Sequence, residues 1–336
     1  MSGRQITFLQ AVAEAMYQAM EADERVIALG EDITGGAGMG APYEGSMGGT
    51  FGATKSLFPA FGNERVRDTP ISEAAFSGVA IGAAAAGLRP VVDMMWSSFT
   101  ALAFDQIFNQ AAKMRYMFGG QASVPVVFRM AMGAGLGAAG QHSDTLHSIF
   151  THIPGLKVVL PSNPFAAKGL LTAAIEDDNP VIFMEHMKLY GRKGDVPEGG
   201  YRVPLGIAEV VKDGTDVTIV ATAYMVHQSI EAADRLAAKG VSAEVVDPQS
   251  LSPLDHETIC TSVAKTGRLV IVDESPPRCS IATDIAAMVG EELFGKLRAP
   301  IRRVTAPHSP VPLSPPLENA YIPSVDRIVA AVKSLS

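Results

Sequence analysis

The two cysteines among 336 residues, Cys260 and Cys279, form no C-x-x-C pair, and a reduced intracellular compartment, the cytoplasm, is expected. Basic clusters are also missing. The 27 Lys and Arg are scattered against 35 Asp and Glu, for a net charge of −8, which argues against nucleic acid or an anionic membrane as partner. No apolar run reaches the length of a bilayer span; the longest weakly polar stretch, residues 74–88, is short and rich in Ala and Gly. The first twenty residues hold no charged segment followed by an apolar one, so no signal peptide is expected. They instead place Phe8, Val12, Met16, Ala19 and Met20 at helical spacing. No G-K-[S/T] closes the glycine-rich run at 35–62, which excludes a Walker phosphate loop and leaves a long functional or disordered loop.

Against these absences, 47% of residues are hydrophobic and 18% charged, the composition of a well-buried globular chain long enough for two domains. Short apolar strands alternate with helical patterns. Helices at about 73–87, 99–117, 143–151 and 164–176 lead to "PVVDMM"-type strands, here "VPVVFRMAM", "LKVVLPS" and "PVIFMEH", and "RVIALGED" adds another. This alternation predicts an α/β fold with a parallel sheet covered on both faces. Residues 191–206, rich in Gly, Pro and charge, read as a linker between a domain at 1–190 and a smaller α/β domain at 207–336. In the second domain, helices near 225–239, 255–264 and 281–294 separate the strands. The proline-rich tail is expected to be irregular until its last helix.

Three features invite chemistry. Glu73 is a lone carboxylate at the head of "EAAFSGVAIGAAAAG". Apolar Ala74, Ala75 and Phe76 would raise its pKa by desolvation, while a helix start favours the anion; taken alone, it is an ordinary first-turn glutamate. "GLGAAG" at 135–140 is a literal G-x-G-x-x-G. The next strand ends without the acid that grips a ribose in dinucleotide folds, so a loop for close backbone approach is the better reading. His142, His147 and His152 are spaced by five, which turns successive side chains about 140° apart and denies them a shared metal. His142, following the glycine loop, reads from spacing alone as a helix-start histidine.

"DTPISEAAFSGVAIGAAAAGLRP", "AAGQHSD", "HIPGLKVVLPSNPFAAKGLL" and "DDNPVIFMEH" together resemble the β subunit of the E1 component of 2-oxo acid dehydrogenase complexes, over nearly the whole chain. "YMFGG", "EVVDPQSLSPLD" and "DESPPRCSIATDIAAMV" are most similar to the acetoin dehydrogenase branch. The resemblance implies a transketolase-like pyrimidine-binding domain, a transketolase-like C-terminal domain, and thiamine diphosphate as cofactor. It implies that Glu73 hydrogen-bonds N1′ of the aminopyrimidine, favouring the imino tautomer that deprotonates the thiazolium carbon. Phe99 would pack on that ring, Glu31 would join the active-site hydrogen-bond network, and His142 would line the channel met by the lipoyl arm. Some relatives bind potassium in a segment matching "TAAIEDDNP"; the corresponding groups are Ala174, Asp177 and Asn179, with Val126, and oxygen ligands suit a hard cation. A plain turn before a strand is the other reading of that segment.

The chain has no G-D-G followed by N-N, the pattern that in this family fixes the diphosphate through Mg²⁺. The resemblance therefore implies an E1 α subunit that supplies Mg²⁺ and the diphosphate site in an α2β2 assembly, and an E2 lipoyl acyltransferase as acceptor. The expected reaction is oxidative cleavage of acetoin, or of pyruvate or a branched-chain 2-oxo acid. The residues leave two rivals: an NAD-dependent dehydrogenase using "GLGAAG", and a non-catalytic assembly subunit.

Overall fold

The computed structural model describes residues 4–34 and 48–335; the first part of the glycine-rich run, 35–47, lies outside them. The first domain contains β1 (Arg4–Thr7), β2 (Val26–Gly30), β3 (Val66–Asp68), β4 (Arg89–Trp96), β5 (Val127–Met132), β6 (Lys157–Val159), β7 (Val181–His186) and β8 (Lys193–Val196). The second contains β9 (Glu209–Lys212), β10 (Val217–Ala221), β11 (Ala243–Asp247), β12 (Ser250–Ser252), β13 (Leu269–Asp273) and β14 (Arg302–Thr305).

Six strands run parallel in the order β6-β7-β5-β4-β2-β3. Side chains alternate across this sheet. Val91, Val127, Val181 and Phe183 face the helices Phe8–Ala22 and Pro164–Glu176, while Val92, Phe128 and Ile182 join Phe76, Ala80 and Ile107 on the other side. Burial of both faces explains why β5 and β7 are apolar at nearly every position. Helix Phe8–Ala22 starts at a capping box formed by Thr7 and Gln10, and the apolar spacing read from the sequence becomes its buried side.

The second sheet has the order β14-β13-β10-β11-β9, with only β9 antiparallel. The α/β class and the two-sheet division follow the expectation. One strand crosses over: β12 of the second domain adds antiparallel to β6 of the first sheet. Residues 191–206 are also more than a tether, because β8 within them pairs antiparallel with β1.

Three expected elements differ. The helix expected at 99–117 is a 3-10 turn (Ser97–Ala101), a π segment (Gln106–Ala111) and a short α-helix (Ala112–Met117). Its first turn is held tight because the Ser97 and Ser98 hydroxyls donate to the carbonyls of Asp144 and Gln141. The 143–151 helix also starts later than expected: it begins at His147, after a 3-10 turn at Gly140–His142. The proline-rich tail forms a helix, Pro315–Tyr321, correcting the expectation of irregular chain. Prolines in its first turn cost nothing, since those positions lack intrahelical N–H partners.

Candidate active site

In open parallel sheets ligands bind beyond the carboxyl ends of the strands. Four sequence-predicted residues follow such ends on neighbouring strands. Glu31 follows β2, Glu73 begins the helix Glu73–Ala85 after β3, Phe99 lies in the turn after β4, and His142 ends the loop after β5.

They meet in two pairs. The chain after β3 is tied to the end of β2, where Thr69 N–H donates to the Gly30 carbonyl (3.0 Å) and Thr34 N–H donates to Asp68 (2.8 Å). Glu73 and Glu31 are thereby neighbours. Burial first, then the nearness of Asp32 and Glu73, holds the Glu31 carboxyl above its usual range. Glu73 is 5% exposed, and no hydrogen bond to its carboxylate forms among the described residues. A largely buried acid with no bonded partner in its own chain is a candidate for contact with a group from outside it.

The second pair is aromatic. The His142 imidazole stands edge-on to Phe99 at 5.6 Å and to Trp96 at 4.9 Å. Trp96 in turn contacts Phe51, which contacts Tyr190. Neither Trp96 nor Phe51 was singled out from the sequence; an aromatic next to "SSF" was the only available signal.

Beneath the edge lies an ion network that sequence reading also missed. Arg129 on β5 bonds Glu185 on β7 through two 2.8 Å contacts and reaches Asp93 on β4 at 2.5 Å. Burial alone would lower the guanidinium pKa, but Asp93 and Glu185 overcome it and hold Arg129 above its ordinary value. Asp93 also accepts from Met95 N–H (2.9 Å), shaping the β4 bulge in which Met95 takes φ +62° on the way to Trp96 and Phe99. Removing one member of such a buried set typically costs about 3–5 kcal/mol. The available signal was an acid and an arginine inside otherwise apolar strands.

The "GLGAAG" loop is not a dinucleotide cradle. Glu274 accepts from Ala134 N–H (2.6 Å), and Glu318 accepts from Gly135 N–H (2.6 Å) and Gly137 N–H (3.0 Å). The amides that would bind phosphate are occupied by carboxylates of the chain itself, and only a single 3-10 turn follows. Of the other two histidines, His147 bonds Asp273 (3.2 Å) in the interior and His152 stands apart; among the described residues no cluster of three potential metal ligands occurs.

Val126, Ala174, Asp177 and Asn179 do gather, but at the opposite, amino end of β5 and β7. The Asp177 carboxylate accepts from Asn179 (2.9 and 2.8 Å) and pairs with Lys157. Burial would raise the Asp177 pKa; Lys157 and Asn179 outweigh it and lower it. Arg89 donates to the carbonyls of Ile175 and Asp177, both at 3.1 Å. Two protein cations already face this group of oxygens.

Residues 4–193 match the transketolase pyrimidine binding domain, and residues 206–328 match the transketolase C-terminal domain. The β subunit of acetoin:2,6-dichlorophenolindophenol oxidoreductase from Cupriavidus necator is 54% identical over 98% of this chain and 97% of that one. The chain belongs to the transketolase-like E1 β-subunit family. The corresponding subunit from Bacillus subtilis is 52% identical over 99% of this chain and 97% of its own. β subunits named for 2-oxoisovalerate and pyruvate dehydrogenases stand at 40–42%. A solved structure titled a split-gene transketolase, an inactive β4 tetramer, shares the E1 β fold with a TM-score of 0.76, covering 98% of both chains at 24% identity. No helix among the described residues of this E1 β chain is long and apolar enough to cross a membrane.

Proposed function

We propose that this E1 β chain is the pyrimidine-binding half of a thiamine-diphosphate enzyme that cleaves acetoin oxidatively and passes the acyl unit to lipoamide on an E2 partner. The observation that carries this reading is the buried Glu73 carboxylate, unpartnered among the described residues and beside a Glu31 whose pKa is raised. Acetoin is preferred over pyruvate or branched-chain 2-oxo acids because the relatives named for acetoin share the higher identity.

Bound thiamine diphosphate supplies a carbon nucleophile and an electron sink for cleavage beside a carbonyl. The residues present fit its pyrimidine end. Glu73 would hold a proton against a ring nitrogen, its burial keeping water from competing for that hydrogen bond. Glu31, its carboxyl held above the usual range by burial and by the nearby Asp32 and Glu73, would join the same hydrogen-bond network. Phe99 would support the ring, and His142, packed against it, would serve the channel open to the lipoyl arm.

The diphosphate and Mg²⁺ fall to an α subunit in an α2β2 assembly, since the chain has no G-D-G…N-N. The surface beside Glu73 supports a covering partner. Ile71 (76% exposed), just before the helix that Glu73 begins, and Val79 (65%) on it are exposed apolar side chains, with Ala74, Ala75 and Gly82 of the same helix exposed as well. The same reading sets the functional divisions at 1–190, 191–206 and 207–336 and places the protein in the cytoplasm. Potassium at Val126, Ala174, Asp177 and Asn179 enters it only as an exchange in which the ion displaces the Lys157 ammonium from Asp177.

The test is calorimetry with thiamine diphosphate and Mg²⁺. The chain alone should bind weakly, because most affinity lies in charge-assisted contacts to phosphate and metal, and the α–β complex should bind tightly and oxidise acetoin. Micromolar binding by the chain alone, or a complex inactive with acetoin but active with pyruvate, would overturn the corresponding part.

A further inference from the structure

We propose that Glu318, with Glu274 beside it, is a positioning residue for His142, acting through the glycine loop 133–140. The proposal rests on the reading of His142 as an active-site histidine. The loop leaves β5 at Met132 and makes left-handed turns at Gly133 (φ +92°), Gly135 (φ +118°) and Gly137 (φ +67°). These turns lay it directly on the residues around the end of β7. A Cβ at Gly133 would fall 2.3 Å from the His186 ring, and one at Gly135 would fall 2.3 Å from the Lys188 side chain. Such a backbone has no ladder of its own and needs its N–H groups satisfied elsewhere.

The second domain satisfies them. Glu274, just past β13, accepts from Ala134 N–H and faces His186 Nε2 at 2.8 Å. Glu318, from the helix in the proline-rich tail, accepts from Gly135 and Gly137. Both acids are 3% exposed. Glu318 has no ion-pair partner among the described residues, so its buried charge is held by loop amides. A carboxylate is placed there at a desolvation cost, and the return is a loop that cannot shift without abandoning that charge. Beyond the anchored glycines the chain reaches Gln141, whose carbonyl is held by Ser98, and then His142 against Trp96 and Phe99. The C-terminal domain thus sets the position of a histidine that belongs to the other domain.

Glu318→Gln tests this. The amide keeps one acceptor but turns an NH2 group toward a loop N–H. In the reconstituted α–β complex, amide hydrogen exchange of the 133–142 segment should rise at least tenfold, with the urea midpoint of the chain close to wild type. Acyl transfer to lipoamide should slow about tenfold, and Glu318→Gln combined with His142→Ala should be no slower than His142→Ala alone, since a positioning residue has nothing left to position. Unchanged loop exchange overturns the clamp. Additive losses in the double variant overturn its action through His142. If His142→Ala alone transfers at the wild-type rate, the assigned role of His142 fails, and with it positioning for transfer, while loop exchange still decides whether Glu318 holds the loop. Should Glu318→Gln not fold, Glu274→Gln, which disturbs the Ala134 contact, carries the same expectations and the same refutations.

Discussion

Replacing Glu73 by Gln changes one atom type and no volume. The side chain is 5% exposed at the first position of its helix, so its charge contributes a helix-terminus interaction of about 0.3–1 kcal/mol, opposed by the cost of burying it. The net effect on unfolding should therefore stay within about 1 kcal/mol. The effect on catalysis should be far larger. An amide cannot exchange a proton with a ring nitrogen, and loss of such acid–base help costs about 10²–10⁴ in rate, or about 3–5 kcal/mol of barrier. A second consequence follows from the raised pKa of Glu31. Burial and Asp32 remain in the variant, but the Glu73 charge is gone, so Glu31 should titrate lower than in the wild type. Two assays separate these effects. Proton–deuteron exchange at the acidic ring carbon of bound thiamine diphosphate, in the reconstituted complex, isolates the proton-transfer step from substrate binding and lipoyl transfer. Carboxyl-carbon NMR on the same variant follows Glu31. Exchange at the wild-type rate with the cofactor site filled would make Glu73 a scaffold residue and refute the reasoning.

His142→Ala should slow acyl transfer to lipoamide by about 10²–10⁴ while leaving cofactor affinity nearly unchanged; equal transfer rates in stopped-flow assays would remove His142 from the channel. Asp247, fully buried with its pKa pushed up to about 7 by burial, binds its proton more tightly folded than unfolded. Its contribution is therefore complete below about pH 4 and is lost as pH rises through about 7, an effect of up to roughly 4 kcal/mol. Asp247→Asn should flatten that slope in urea titrations at pH 5 and pH 8, and a slope identical to wild type would sink the assignment. Lys157→Met frees the Asp177 carboxylate, so replacing Tris by potassium should raise Tm in that variant and hardly at all in the wild type; an equal response in both would show that Lys157 does not compete with the ion.

Local pattern carried much of this protein. Near-continuous apolar strands between helices determined a parallel α/β sheet, because a strand buried on both faces has no polar side to show. The absence of G-D-G and N-N is likewise complete in one dimension. So are the places of Glu31, Glu73, Phe99 and His142 just after strand patterns, where a parallel sheet presents its ligand-binding edge. Tertiary structure decided what those residues meet. The Ser97 and Ser98 hydroxyls bond carbonyls more than forty residues away, tying together two segments whose expected helices turn out shorter. Arg129, Asp93 and Glu185 became neighbours only when β4, β5 and β7 came into register. "GLGAAG" looked like a phosphate loop because glycine spacing encodes available N–H groups without saying what fills them. Two carboxylates, 140 and 183 residues further along, fill them here. Backbone propensity is a property of neighbours in sequence, whereas the partner of a buried charge is chosen by the fold as a whole.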